Sequence, residues 1–313
     1  MGATKVSVSL GTQPGIIADR MVDRTHRMES PDEMISEISG MAHRMMDKNQ
    51  LNISDCLGIC FAFAGFTNSE EGVIITSPNI KGWRRTPVRS MLEKEMKVPV
   101  IVENDADVGA YGEFRHGGSI SSEDFMYMTI STGIGAGIII GGRPYHGQNH
   151  NAGEIGHTTV LTDGPKCNCG KNGCLETFSS GLGIERAAND RLQTERTSLR
   201  SRADDNGGRV DARIVFEEAR KGDLLSLEIV DTACRYLGMS ISTAVMLLSL
   251  SSVVIGGGLS NEGEFLRERV EHHMRKNIPA GPNENARLLV SKKPLDVVDL
   301  GALQMVFDAF AGR

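Results

Sequence analysis

Asn151-Ala-Gly-Glu154-Ile-Gly-His157-Thr-Thr-Val-Leu-Thr-Asp-Gly-Pro-Lys-Cys167-Asn-Cys169-Gly-Lys-Asn-Gly-Cys174-Leu-Glu176-Thr-Phe-Ser-Ser-Gly181 is the stretch on which the reading of this chain turns. It holds three of the six cysteines, a histidine ten positions before the first of them, and two isolated acids, Glu154 and Glu176. Three thiolates and one imidazole fill a tetrahedral zinc shell with no open position, the pattern of a structural metal rather than a catalytic one. His157, Cys167, Cys169 and Cys174 are the expected ligands. The intervening glycines let the backbone turn tightly enough to aim several sulfurs at one point. The Cys-x-Cys-x4-Cys spacing is shorter than the common Cys-x2-Cys knuckle. A disulfide pair with a spare thiol and three unliganded cysteines are the competing readings. Both are weaker, because no signal peptide precedes the cluster and buried inert cysteines do not gather among Gly, Asn and Lys. A metal here would fix both carboxylates in space.

The 313 residues suffice for roughly two domains. A 40% hydrophobic content with 36 glycines suits an α/β protein with many tight strand-to-loop junctions. The formal net charge of −6, without a Lys/Arg run, argues against nucleic acid as a partner. No apolar stretch approaches a membrane span. Cys56, Cys60 and Cys234 read as core, and a reduced cytoplasm is the expected compartment.

Outward from the cysteine stretch, Val6, Val8 and Leu10 alternate with serines as a half-buried strand. Ahead of them, Gly2-Ala-Thr4-Lys5 reads either as a phosphate-binding turn or as a plain turn. Ser30-Pro31-Asp32-Glu33 is a capping box opening an amphipathic helix whose stripe, Met34 to Met46, is core packing. Residues 57–63, 73–76 and 98–102 read as strands. The Ser77-Pro-Asn79-Ile-Lys-Gly82-Trp83 loop carries the single tryptophan, and loops of this kind also hold ligands. Residues 98–102 end in Glu103-Asn104-Asp105 and a helix to residue 115. A carboxylate there serves chemistry at a strand's carboxyl end or simply caps the helix; both stay open.

Strand 125–130 runs into Ser131-Thr132-Gly133-Ile134-Gly135-Ala136-Gly137, read as a loop before a strand at 138–142. Its backbone N–H groups can close around phosphate oxygens, or it is a Gly-rich hairpin. Helices are expected at 180–192, 211–221, 223–250, 262–276 and 301–310, and an exposed loop at 193–208. Strand 252–255 ends in Gly256-Gly257-Gly258, which permits close approach of a flat ligand or phosphate.

Taken together, Glu154-x-Gly-His157, Cys167-x-Cys-Gly-x2-Gly-Cys174-x-Glu176, Asn104-Asp105, the 132–137 glycines and the 256–258 triplet resemble the ROK family of sugar kinases and repressors over nearly the whole chain. Its glucokinases and N-acetylmannosamine kinases are the nearest likeness. The resemblance implies an actin-like (ribonuclease H-like) two-lobed α/β sugar kinase fold with a zinc-binding loop. It implies a small lobe, 1–103 plus 300–313, and a large lobe, 104–299, with the zinc loop at 157–174. It makes Asp105 the general base. It gives Gly65, Asn79, Asn104, Asp105, Glu154, His157 and Glu176 to the sugar, with His157 also on zinc. It gives Gly2, Thr4, Lys5, Thr132, Gly133, Gly135, Gly257 and Gly258 to ATP, and implies Mg²⁺ with the nucleotide. Glucose is the favoured hexose, on the Ser-Pro-Asn loop with Gly82-Trp83; N-acetylmannosamine, another hexose, or a non-catalytic sugar-binding regulator are the alternatives. A homodimer or homotetramer is implied. Kinase members carry Asp-x-Gly-x-Thr-Lys after an apolar strand. The aspartate would here fall just before Met1, so the natural product is expected to begin upstream.

Overall fold

The Val/Ser alternation at the start folds as strand β1 (Val6–Leu10), which pairs antiparallel with β2 (Asp19–Asp23), a strand without a clear sequence signal. Ser30 accepts from the Glu33 amide at 3.3 Å and Pro31 opens α1 (Pro31–Lys48), the N-cap half of the expected capping box. Strands β3 (Ile59–Phe63), β4 (Phe66–Asn68), β5 (Val73–Thr76) and β6 (Arg84–Thr86) precede α2 (Val88–Met96); β7 (Val100–Asn104) runs into α3 (Asp105–Gly112). Next come β8 (Phe125–Ile130), β9 (Ile134–Ile140), β10 (Arg143–Pro144), α4 (Leu175–Ser179), α5 (Gly181–Arg191), α6 (Leu199–Asp204), α7 (Ala212–Arg220) and α8 (Leu224–Leu248). The chain ends with β11 (Ser252–Gly256), α9 (Glu264–Lys276), β12 (Arg287–Val290) and α10 (Val297–Phe310). This is a computed structural model, and it describes residues 1–2, 5–24, 30–77, 80, 82–120, 122–281 and 283–312.

Two compact units emerge. The first comprises Met1–Glu123, Gly137–Ala152 and Leu295–Arg313, the second Asp124–Ala136 and Gly153–Pro294. In the first, β3 and β7 pair parallel, Phe63 opposite Asn104. Met34, Ile35, Ile38 and Met41 of α1 pack with Phe61, Phe63, Val100, Val102, Val88 and Leu92. Trp83 belongs to this core: it is 3% exposed and its ring lies 4.7 Å from that of Phe63. α3 and α10 cross so closely that a Cβ on Gly301 would lie 2.0 Å from the Val108 carbonyl oxygen.

In the second unit β11 lies between β8 and β12, parallel to both, with Val254 opposite Tyr127 and Leu289. Every residue of β11 is buried, and its Val253-Val-Ile255 run is the apolar kind a parallel sheet covers on both faces. Asp223 caps α8, accepting from the Ser226 amide at 2.9 Å. The segment 193–208 is not wholly loop, as its polarity suggests. Leu199 and Ala203 bury one side of α6, while Arg202 reaches Glu217 and Glu218 at 2.7 and 2.6 Å. Among the described residues no helix is long and apolar enough to cross a membrane.

Candidate active site

In the first unit, the carboxyl end of β7 delivers Asn104 and Asp105. Asn104 is the helix cap. Its side-chain oxygen accepts from the amides of Ala106 at 2.7 Å and Asp107 at 3.3 Å, and its side-chain nitrogen donates to the Gly65 carbonyl at 3.0 Å. Asp105 is the first residue of α3, beyond the capping position. It is half-buried, and burial pushes its carboxyl above the ordinary carboxylate range. A base with a raised pKa is a stronger proton acceptor near neutral pH. Gly65 is fixed by space as well as by its carbonyl: an added Cβ would meet the Thr76 carbonyl oxygen at 2.8 Å. Ser77 donates its hydroxyl to the Ala64 carbonyl at 2.9 Å and accepts from the Ile80 amide at 3.2 Å. Asn79 itself and Thr4 lie outside the described residues. Gly2 donates its amide to the Lys5 carbonyl at 3.0 Å, and Lys5 is exposed.

The second unit builds its part around Ile134. Glu176, second residue of α4, accepts from the Ile134 amide through Oε2 at 2.9 Å. Gly156, in the Glu154-x-Gly-His157 turn, presses on the carbonyl of the same residue: a Cβ there would come within 2.2 Å of the Ile134 carbonyl oxygen. Residues 131–133 form the turn before Ile134, closed by the Ser131 amide on the Gly133 carbonyl at 2.9 Å. Ser131 in turn accepts, through its carbonyl, from the Gly181 amide at 2.7 Å. Gly257, at φ +77°, leaves no room for a side chain, since its Cβ would lie 2.7 Å from the Ile130 carbonyl oxygen. Three separated motifs therefore converge in one unit: the 131–133 turn with the start of β9, the acid-bearing segments and the 256–258 triplet. Thr132 and Gly258 are exposed, and Gly133, Gly135 and Gly257 are half-buried.

The turn is shorter than the sequence suggests. β9 begins at Ile134, so Gly135 and Gly137 are strand residues. Gly137 serves helix packing, for its Cβ would sit 2.4 Å from the Ala106 carbonyl oxygen of α3. Gly256 likewise makes way for the Tyr127 ring.

The cysteine loop closes on itself. His157 Nδ1 lies 3.7 Å from Cys167 Sγ, Cys169 Sγ lies 3.6 Å from Cys174 Sγ, and one ligand atom from each of the four residues falls within 4.8 Å of the others. A tetrahedral zinc, with bonds of about 2.3 Å to sulfur and about 2.0 Å to nitrogen, sets its ligands roughly 3.5–3.8 Å apart, so the donor set fits. Burial and the neighbouring sulfurs push the Cys174 thiol up to about 12 without a cation, and burial also raises Cys167. A bound metal removes that penalty by holding thiolates outright. The backbone is shaped for it. Cys167 donates its amide to the Lys171 carbonyl at 2.8 Å, and Gly170 and Gly173 take φ +95° and +66°. Cys174 immediately precedes α4, so the cysteine loop sets where the helix carrying Glu176 begins.

The model of the ROK family matches residues 1–308. A glucokinase of Halalkalibacterium halodurans is 35% identical over 274 residues, covering 87% of this chain and 83% of that one. A xylose repressor of Caldicellulosiruptor bescii is 27% identical over 89% of this chain and 69% of its own. A Streptomyces griseus ROK family glucokinase solved with glucose and AMPPNP superposes with a TM-score of 0.84 at 26% identity, over 97% of this chain and 96% of that one.

Proposed function

We propose that this chain, which belongs to the ROK family and has its α/β actin-like fold, transfers the terminal phosphoryl group of ATP to a hexose, glucose before others. The observation that carries this reading is the convergence on Ile134 in the second unit. A carboxylate fixed by the metal loop is bonded to the amide of the very residue that ends the phosphate-type turn. The same short backbone thus serves a sugar-binding acid and a phosphate-binding loop.

In this reading Asp105 takes the proton of the attacking hydroxyl as its bond to phosphorus develops. Gly65, Asn79, Asn104, Glu154, His157 and Glu176 hold the hexose. Several fixed polar partners give selectivity because a missing hydroxyl strands one of them. Thr132, Gly133 and Gly135 face the phosphates, Gly257 and Gly258 the nucleotide, and Gly2, Thr4 and Lys5 contribute to the phosphate end. Mg²⁺ enters with ATP and neutralises phosphate charge; the protein's share is alignment and fixed N–H dipoles. His157, Cys167, Cys169 and Cys174 would hold a structural Zn²⁺ that keeps the loop in shape and carries no step.

The match to xylose repressors over most of the chain supports a second reading, a sugar sensor that binds without turning over. A coupled assay for ADP across a panel of hexoses separates the two. The kinase reading expects hexose-dependent ADP release, greatest with glucose. Hexose binding by calorimetry with no ADP release would replace it by the sensor.

A further inference from the structure

Glu103 stands directly before the Asn104-Asp105 pair and is buried, with 5% of its surface exposed. Both its oxygens are engaged. Oε1 accepts from the Ser69 hydroxyl and from the Asn104 amide, each at 2.8 Å, and Oε2 meets His146 Nε2 at 2.9 Å. His146 lies just past β10, and its carbonyl accepts from the Ala152 amide at 3.0 Å. Asp107, buried one helical turn beyond Glu103, places a carboxylate oxygen within 4.8 Å of both groups. His150 stacks obliquely with its ring 6.2 Å from that of His146 and its Nε2 3.6 Å from the Glu70 carboxylate. Arg89, on the neighbouring α2, donates to the carbonyls of Val100, Ser69 and Glu70. Two buried carboxylates this close are costly unless a positive charge faces them. A protonated His146 would supply it, and the hydrogen bond to Glu103 raises the His146 pKa.

We infer that His146 is a positioning residue for Asp105. Charged, it clamps Glu103; Glu103 clamps the Asn104 amide; and Asn104, through its cap and its bond to Gly65, fixes the turn from which Asp105 projects. The inference rests on the reading of Asp105 as the base, but the clamp itself is measurable without turnover. The sign follows from the raised pKa. The ion pair's contribution is present below the ordinary imidazole range and is lost as pH rises through the raised folded-state pKa of His146.

Hydrogen exchange at the amides of residues 104–108, with kcat and KM, tests it in the wild type, His146→Gln, His146→Arg and Glu103→Gln. His146→Gln is expected to lose about tenfold or more of the protection there and to lower kcat with KM for ATP unchanged. His146→Arg keeps a permanent cation and is expected to restore both. Wild-type protection is expected to fall at alkaline pH, and that of the Arg variant to stay level. Protection in His146→Gln equal to the wild type, or loss in the Arg variant equal to that in the Gln variant, overturns the clamp. A wild type that phosphorylates no hexose removes the base reading alone, since exchange still decides whether His146 holds the turn.

Discussion

Asp105 and Asn104 are adjacent, yet the structure divides their work. Asn104 takes the capping hydrogen bonds, so the Asp105 carboxylate is not the cap of its own helix. Asp105→Asn keeps the shape and removes the basicity. It is expected to lower kcat by about 10²–10⁴-fold, the usual worth of a general base, with hexose affinity by calorimetry unchanged. Because burial raises the Asp105 pKa, kcat/KM is expected to climb with pH through a value above the ordinary carboxylate range, since the base works only when unprotonated. That acid limb should vanish in the Asn variant, and a limb at an unshifted position would remove burial from the account. The acid at the strand end was legible because Glu-Asn-Asp is contiguous in sequence. The choice between cap and base was not, because both uses demand the same residue types at the same place. The Glu103–His146 pair left no sequence signal at all: its members are 43 positions apart and only the fold joins them.

Among the elements, the cysteine loop was the most legible, because a closed ligand set of soft donors is specified by residue identity. Cys169→Ser is expected to leave the purified protein without stoichiometric zinc by metal analysis and, through Glu176, to weaken hexose binding. Zinc-free wild type that binds hexose fully would separate the loop from the sugar. Glycines were the least legible, since close packing and close ligand approach both call for a missing side chain. Gly135 and Gly137 were read as loop, and β9 claims them. Gly137 and Gly301 answer to the backbone of α3, not to a ligand. Gly301→Ala forces a methyl against the Val108 carbonyl and is expected to cost on the order of 3 kcal/mol, read as a lowered melting temperature. Short strands such as β2, β4 and β6 escaped notice because three to five residues carry too little alternation to stand out.

Across the whole molecule, compactness parts the chain after Glu123, Ala136, Ala152 and Pro294, whereas the resemblance parts it by function after residues 103 and 299. The family was legible because its motifs are spread from the 104–105 pair to the 256–258 triplet, and a full-length match does not arise from one loop. The activity was less so. Kinases and repressors match the same region, and the residues that bind a sugar do not by themselves say whether it is phosphorylated. What turns a binder into a kinase is proton removal beside an aligned phosphate. The most direct measurement is therefore hexose-dependent ADP release by wild type and Asp105→Asn side by side, with zinc content and hexose affinity checked in both. Turnover in the wild type that disappears in a variant still holding zinc and sugar is the expected result. Equal ADP release by the two proteins, or none from a wild type that binds both hexose and ATP, would contradict it.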